Sequence, residues 1–183
     1  ESVSKIVRNH LINVGGVEEA VVIGTQNKLP ARSAAMTNGT TSHSLDYDDT
    51  HFAYLGHPSV AVFPAALAIS QKVNSSGSNF LYSALIGMET VIRIGSWLGH
   101  QHHSTGFHST ATLGCFGSAM ASARLLHLSK LQTSYALGLA ASCASGLRVQ
   151  FGTMAKPFHA GMAAASGVES ALLAQAGLVS SLN

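Results

Sequence analysis

Residues 106–127 read GFHSTATLGCFGSAMASARLLH, and this stretch decides the fold class. Ala, Gly and Ser occupy many positions at which a buried helix would ordinarily carry Leu. Small side chains let helix axes approach closely, so the pattern predicts a helix packed among other helices. The same composition recurs in residues 131–145 and 158–176. We interpret these small residues as core packing and not as catalytic groups.

The rest of the chain extends the helical pattern. Apolar spacing and terminal Gly, Pro or Ser residues predict further helices at residues 1–14, 31 to about 36 with an extension toward 46, 60–73 and 78–98. Residues 18–24 fit either a short helix tail or a brief extended run. No alternation of useful length for a strand appears, so we predict an all-α, multi-helix bundle.

Composition predicts one folded domain over residues 1–183. A hydrophobic share of 46% with four prolines excludes a disordered segment. The net charge is only +2 and the basic residues are scattered, which argues against nucleic acid as a partner. The apolar runs fall short of the roughly 20 residues that a membrane span needs, so no membrane partner is expected.

Two cysteines, Cys115 and Cys143, lie in apolar helical sequence. We predict two buried free thiols, which suits a reducing compartment.

A second stretch concentrates the chain's scarce polar groups. Residues 43–59 read HSLDYDDTHFAYLGHPS and contain three aspartates and three histidines, although only 10% of the chain is charged. Placing such groups beside apolar helices is costly unless they are paired or used. Histidine and carboxylate together are typical of proton transfer, so we predict one wall of an active site here.

The spacing within this stretch suggests how the wall is built. If residues 46–51 are helical, Asp46, Asp49 and Thr50 share one face and Asp48 points elsewhere. His57 directly precedes Pro58 at the start of the next helix. Free N–H groups at a helix N-terminus favour a substrate carboxylate.

Two further residues precede predicted helices. His108 can act at a site or serve as a cap or core contact. Lys156 lies in apolar, Gly-rich sequence, where it is either a surface side chain or an anion clamp. His159 can cap the same helix as Lys156.

The His-rich run at residues 100–103 raises the possibility of zinc. His100 with His102 or His103 could ligate zinc, with Asp46 or Asp49 as a third ligand. Because the spacing matches no strong zinc pattern, we favour a loop that is either exposed to solvent or at the substrate rim, and we expect no metal. No phosphate loop or dinucleotide fingerprint is present, so no cofactor is expected.

Five segments together resemble the MmgE/PrpD family in order and spacing: AAMTNGTTSHSLDYDDT (34–50), GHPS (56–59), GFHSTATLGCFGSA (106–119), ALGLAASCASGLR (136–148) and FGTMAKPFHAGMAA (151–164). That family includes 2-methylcitrate dehydratase, cis-aconitate decarboxylase and iminodisuccinate epimerase. The resemblance covers nearly the whole chain.

The resemblance implies a large all-helical domain joined to a smaller α+β lid domain, with the active site in the cleft between them. It implies homodimers that work without metal or organic cofactor, in the cytoplasm or, in a eukaryote, in mitochondria. The chain would then be part of the helical domain, with the lid domain beyond Asn183 and a short piece before Glu1. The site residues that the resemblance implies are Asp46, Thr50, His57, His108 and Lys156.

The resulting hypothesis is a lyase that acts on a small di- or tricarboxylate, in the manner of 2-methylcitrate dehydratase. Lys156 and His108 would bind carboxylate and stabilise charge, and His57 would move the proton. Asp46 would orient His57 and Thr50 would add a hydrogen bond, although His57 and His108 can exchange roles. Decarboxylation or epimerisation within the same family, and a non-catalytic helical dimerisation module, are the alternatives.

Overall fold

The computed structural model describes residues 2–182. Eight α-helices make up most of this range: α1 Ser2–Val14, α2 Ala31–Ser42, α3 Ser59–Lys72, α4 Gly77–Leu98, α5 Gln101–Ser104, α6 Ser109–Leu125, α7 Lys130–Ser142 and α8 Ala155–Gln175. One 3-10 turn, Arg148–Gln150, lies between α7 and α8. The prediction of an all-α bundle is confirmed.

A small hairpin interrupts the helices. Strands β1 (Ala20–Val21) and β2 (Lys28–Leu29) pair antiparallel, with Ala20 opposite Leu29. The backbone N–H of Val21 donates to the side chain of Gln71 on α3 at 2.9 Å. Of the two predictions for residues 18–24, the extended run is therefore the correct one, over two residues.

Helix α6 lies at the centre of the bundle. It packs against α8 over the longest interface and also against α3, α4 and α7. Nearly every side chain of α6 is buried, including polar Thr110, Ser118 and Ser122. The core is therefore built mainly from small side chains with a few branched ones such as Ile69 and Leu125.

Glycines set how closely these helices approach. A methyl group on Gly161 of α8 would lie 2.2 Å from Thr40 Oγ1 and 2.3 Å from the Met36 carbonyl oxygen, both on α2. A methyl group on Gly167 would lie 2.3 Å from Ser118 Cβ on α6. The small residues thus bring α8 into direct backbone contact with its neighbours.

Helix α7 begins with a capping box at Ser129. The Ser129 side chain accepts from the Gln132 backbone N–H at 3.2 Å, and the Gln132 side chain accepts from the Ser129 N–H at 3.1 Å. This reciprocal pair satisfies two N–H groups that a helix start leaves free.

Residues 43–50 are not helical, so the predicted helical face of Asp46, Asp49 and Thr50 is wrong. Helix α2 ends at Ser42, and turns and bends follow. Asp46 has a φ of 58°, in the left-handed region, which a right-handed helix does not allow. Asp49 instead accepts from the Ser59 backbone N–H at 3.2 Å and so binds the start of α3.

Two smaller predictions are also corrected. The polar run after Gly99, predicted as a loop, contains the one-turn helix α5. Cys115 is buried as predicted, but Cys143 is exposed at the end of α7. Both thiols are free.

Among the helices that the structure describes, none combines the length and apolar character required to cross a bilayer.

Candidate active site

Three helix ends meet at one side of the bundle. The segment between α2 and α3 carries His43, Asp46 and His57, the start of α6 follows His108, and the start of α8 carries Lys156. The His57 backbone N–H donates to Thr110 Oγ1 at 3.1 Å and so ties this segment to α6. The bundle thereby brings residues distant in sequence to one place.

Asp48 forms the centre of a polar cluster. Its Oδ2 atom lies 2.9 Å from His43 Nδ1 and 3.0 Å from His57 Nδ1. The first contact has the geometry of a hydrogen bond, whereas the second is an ion-pair contact that lies off the hydrogen-bond direction. Although burial opposes ionisation, the two imidazoles hold the pKa of Asp48 well below its usual range.

Asp46 links this cluster to Lys156. Its Oδ2 atom accepts from Lys156 Nζ at 2.6 Å, and its Oδ1 atom lies 3.7 Å from His57 Nε2. The Asp46 side chain is 53% exposed, so this pair is open to solvent on one side. The hydrogen bond from Lys156 lowers the pKa of Asp46 despite partial burial, and the Lys156 charge adds to that effect.

His57 lies between the two carboxylates. Burial by itself would lower its pKa, but the contact with Asp48 and the charges of Asp48 and Asp46 raise the pKa of His57 above its ordinary value. The ring therefore holds a proton more readily than a free histidine does.

His108 has the opposite environment. Its residue is only 2% exposed, and its ring stacks on His43 with centroids 5.9 Å apart. His108 Nδ1 forms a hydrogen bond of 3.1 Å with Nδ1 of His159. Burial, and then the nearby His159, His43 and Lys156, lower the pKa of His108 to about 3. The imidazole of His108 is therefore neutral at physiological pH.

A cleft of about 480 Å³ opens beside the cluster. Its walls include His43, Asp46, Phe151 and Lys156. Lys156 Nζ lies 5.3 Å from the centre of the Phe151 ring. The ammonium group thus faces a space of suitable size for a small organic acid.

The structure brings together four of the five predicted site residues. Asp46 contacts both His57 and Lys156. The ring of His43 contacts the rings of His57 and His108 and so connects His108 to this group. Thr50 is exposed and takes part in none of these contacts. The catalytic roles of all five residues stay predictions.

Three members of the cluster were missed from sequence. Asp48 was placed elsewhere because residues 46–51 were treated as helical. His43 lies in the polar stretch but received no role, and His159 was predicted as a cap, whereas it contacts His108. The available signal was the density of His and Asp in residues 43–57, which marks the whole segment and not one helical face.

The zinc hypothesis for residues 100–103 does not fit the structure. His100 Nε2 lies 2.9 Å from the Phe52 carbonyl oxygen, and His102 Nε2 lies 2.8 Å from Thr112 Oγ1. Within residues 2–182, the His and Asp side chains that converge closely enough for a metal are His43, Asp46, Asp48 and His57, with donor atoms within 4.8 Å of one another. Those atoms already pair with one another and with Lys156, so we assign no metal to them.

Comparison with known proteins places this geometry in a family. The model of the MmgE/PrpD N-terminal domain matches residues 1–183. Human cis-aconitate decarboxylase is 35% identical over 156 residues, which cover 82% of this chain and 32% of that protein. Cis-aconitate decarboxylase of Aspergillus terreus is 34% identical over 163 residues, covering 85% and 33%. A cis-aconitate decarboxylase-like protein of Aspergillus oryzae is 35% identical over 167 residues, covering 86% and 35%.

The chain spans about a third of the length of these curated relatives. The family match, in contrast, extends over the chain from end to end. This chain belongs to the MmgE/PrpD family and corresponds to its N-terminal domain.

Proposed function

We propose that this chain supplies part of the active site of a lyase for small di- or tricarboxylates, and that decarboxylation of a cis-aconitate-like acid is the first candidate reaction. The observation that carries the proposal is the placement of the Lys156 ammonium at a cleft beside one proton-holding and one neutral imidazole. The names of the relatives favour decarboxylation over the dehydration that the sequence first suggested.

Lys156 is the group that would select an anion. Its ammonium already binds the carboxylate of Asp46 at 2.6 Å, so the position suits a carboxylate oxygen. Because the Asp46 side chain is half exposed, a substrate carboxylate can compete with it for the ammonium. The exchange replaces one charge-assisted hydrogen bond by another and turns the Asp46 carboxylate toward solvent.

His57 and His108 would then divide the remaining work. Two carboxylates face His57 and raise its pKa against the effect of burial, which suits a proton donor. His108 stays neutral, so it can hydrogen-bond to a substrate oxygen without adding charge.

A decarboxylation fits this division. The bond between carbon and a carboxylate breaks, carbon dioxide leaves, and the electron pair stays on the substrate carbon framework, where a neighbouring carboxylate delocalises it. His57 donates one proton to the substrate carbon that carries this electron pair, and a proton from solvent later reprotonates His57. Lys156 stabilises the charge that develops on the substrate oxygens.

The same groups serve two alternative reactions. A dehydration of 2-methylcitrate type begins with removal of a proton from carbon and ends with loss of the hydroxyl group as water, so His57 would have to start unprotonated. An epimerisation removes a proton and returns one to the other face. The raised pKa of His57 favours the reaction that begins with a proton to donate.

The test is a turnover panel of cis-aconitate, 2-methylcitrate, citrate and iminodisuccinate, with the protein as its gene encodes it. We expect release of carbon dioxide from cis-aconitate and a loss of at least about 100-fold in kcat/KM for Lys156→Ala. Lys72→Ala is the matched control, because Lys72 also pairs with a carboxylate, that of Glu19, but away from the cleft.

Each result has a defined meaning. Turnover of 2-methylcitrate or iminodisuccinate alone would replace decarboxylation by the corresponding reaction. Absence of turnover on all four acids, or equal activity of the Lys156→Ala and Lys72→Ala variants, would contradict the lyase proposal and favour a non-catalytic module.

A further inference from the structure

We propose that Asp48 is a positioning residue, which orients the ring of His57 so that Nδ1 faces inward and Nε2 faces Asp46 at the cleft wall, and that His43 holds Asp48 in place for this purpose. The proposal deepens the proposed function and rests on it for the direction of proton transfer. The orientation of His57 itself can be tested without any substrate.

The geometry defines which ring atom is available. Asp48 Oδ2 lies 3.0 Å from His57 Nδ1, while Nε2 at the opposite edge of the same ring lies 3.7 Å from Asp46 Oδ1. Asp46 in turn binds Lys156 at the cleft. The contact with Nδ1 lies off the hydrogen-bond direction, but a carboxylate oxygen this close still favours the neutral tautomer that carries its proton on Nδ1. That tautomer leaves Nε2 free to exchange a proton with a substrate.

His43 explains why Asp48 can hold this position. The His43 side chain is fully buried, and its Nδ1 forms the better-aligned hydrogen bond to Asp48, at 2.9 Å. The His43 and His57 rings meet edge-to-face, with centroids 4.8 Å apart. His43 therefore holds the same carboxylate oxygen, Oδ2, that contacts Nδ1 of His57.

The cost of this arrangement argues for a role. The Asp48 side chain is only 6% exposed, and burying a carboxylate is unfavourable unless nearby positive charge compensates it. Packing alone would be served better by an apolar side chain at this position. A buried carboxylate between two imidazoles instead favours particular tautomers and orientations of both rings.

The partners of the two rings also separate the roles that the sequence left open between His57 and His108. Nδ1 of His108 faces another imidazole, that of His159, and no carboxylate contacts its ring in the described part of the chain. His57 has a carboxylate at its inner edge. Only His57 therefore has the partner that orients an imidazole for proton transfer.

The test compares Asp48→Asn with Asp49→Asn, a change at the neighbouring carboxylate, which binds Ser59 at the start of α3. The imidazole ¹⁵N chemical shifts of His57 are measured in the protein as its gene encodes it. We expect the neutral ring to carry its proton on Nδ1 in the original protein and in Asp49→Asn. In Asp48→Asn we expect a mixture of tautomers or a shift to Nε2.

Kinetics provide a second readout once a substrate has been identified. We expect Asp48→Asn to lower kcat by about 10²- to 10⁴-fold with KM changed only a few-fold, because the substrate's own contacts remain. Asp49→Asn should stay within a few-fold of the original kcat. Asp48→Glu, which keeps the charge, should recover part of the loss.

Unchanged His57 shifts in a folded Asp48→Asn protein would overturn the proposal, whatever the turnover. If Asp48→Asn does not fold, His43→Gln replaces it: the Asp48 charge stays, but its buried anchor is lost. Broadened or shifted His57 ¹⁵N signals in His43→Gln would support the proposal, and unchanged signals would overturn it. If no acid is turned over while the shifts behave as expected, the proposed function fails and the positioning role stands.

Discussion

Asp46 combines an unusual backbone conformation with a central position in the site. Its φ of 58° lies in the left-handed region, which Asp and Asn tolerate better than other non-glycine residues. That conformation carries its carboxylate toward Lys156 and not along the face of a helix. Backbone and charge are therefore both reasons for an aspartate at this position, and they can be separated experimentally.

We expect Asp46→Asn to change the free energy of unfolding less than Asp46→Ala does. Asn keeps the tolerance for a positive φ and loses only a half-exposed ion pair, whereas Ala adds about 1 kcal/mol of backbone strain. Urea denaturation of the two variants measures the difference. Equal free energies of unfolding for Asp46→Asn and Asp46→Ala would show that residue 46 leaves the left-handed conformation in the variants at no cost.

His108 predicts a pH dependence of stability. Its pKa in the folded protein is about 3, below the value of about 6.5 for an unfolded histidine. Between those two values the unfolded chain binds more protons, so this residue makes stability fall as the pH drops from about 6.5 toward 3. Replacement of His108 should remove that part of the fall.

The measurement is the free energy of unfolding of the original protein and of His108→Gln at pH 7, 5 and 4. The difference between them should shrink or change sign toward low pH, because the variant no longer keeps a buried neutral imidazole. His10→Gln, at an exposed position on α1, is the control and should follow the original protein. A His108→Gln curve parallel to that of the original protein would contradict the assigned environment.

The sequence indicated which types of residue belong to the candidate site, but it did not indicate which of them contact one another. Lys156 and His57 could be selected because charged or titratable groups in apolar sequence are costly unless used. Asp48 could not, because the local conformation of residues 43–50 decides which of three aspartates points inward. That conformation includes a left-handed residue, for which helical periodicity gives no indication.

The packing of helix α8 against α2 requires a glycine at position 161. Gly161 faces Thr40 and the Met36 carbonyl oxygen on α2, with no space for a Cβ atom. Since backbone atoms form part of this contact, the two helices must separate to admit a side chain. Lys156 is one turn or so away on the same helix, so such a shift also moves the ammonium group.

We expect Gly161→Ala to destabilise the fold by about 1–3 kcal/mol, despite the better helix propensity of Ala. Gly77→Ala is the control, because nothing lies within 4 Å of the added methyl group at the start of α4. Thermal and urea unfolding of both variants check the prediction. Stability of Gly161→Ala equal to or above that of the original protein would show that α2 and α8 can separate without loss.

Helices and their ends were predictable where residues close in sequence determine them. The cap at Ser129 and the glycines after Val14 mark helix ends through hydrogen bonds within a few residues. The two-residue strands and the single turn of α5 have no such signal, since each depends on contacts with distant residues. The hairpin, for example, is held in part by Gln71 of α3.

At the scale of the whole molecule, the all-α class followed from apolar spacing and the lack of strand alternation, whereas the meeting of Asp46, His108 and Lys156 did not. These residues are separated by tens of positions, and their distances depend on how α2, α6 and α8 cross. Crossing angles arise from the fit of small side chains along whole helices, which a pattern of apolar spacing does not determine. The family resemblance, and not periodicity, connected these residues before the structure did.

The different exposure of the two cysteines should allow one of them to be labelled selectively. Burial raises the pKa of Cys115 to about 12, so that thiol resists alkylation, whereas Cys143 is exposed at the end of α7. A maleimide dye should therefore attach at Cys143 without mutagenesis. Phe151 of the cleft wall follows eight residues later in the chain, and a change in dye emission on addition of cis-aconitate would test whether the two positions are close.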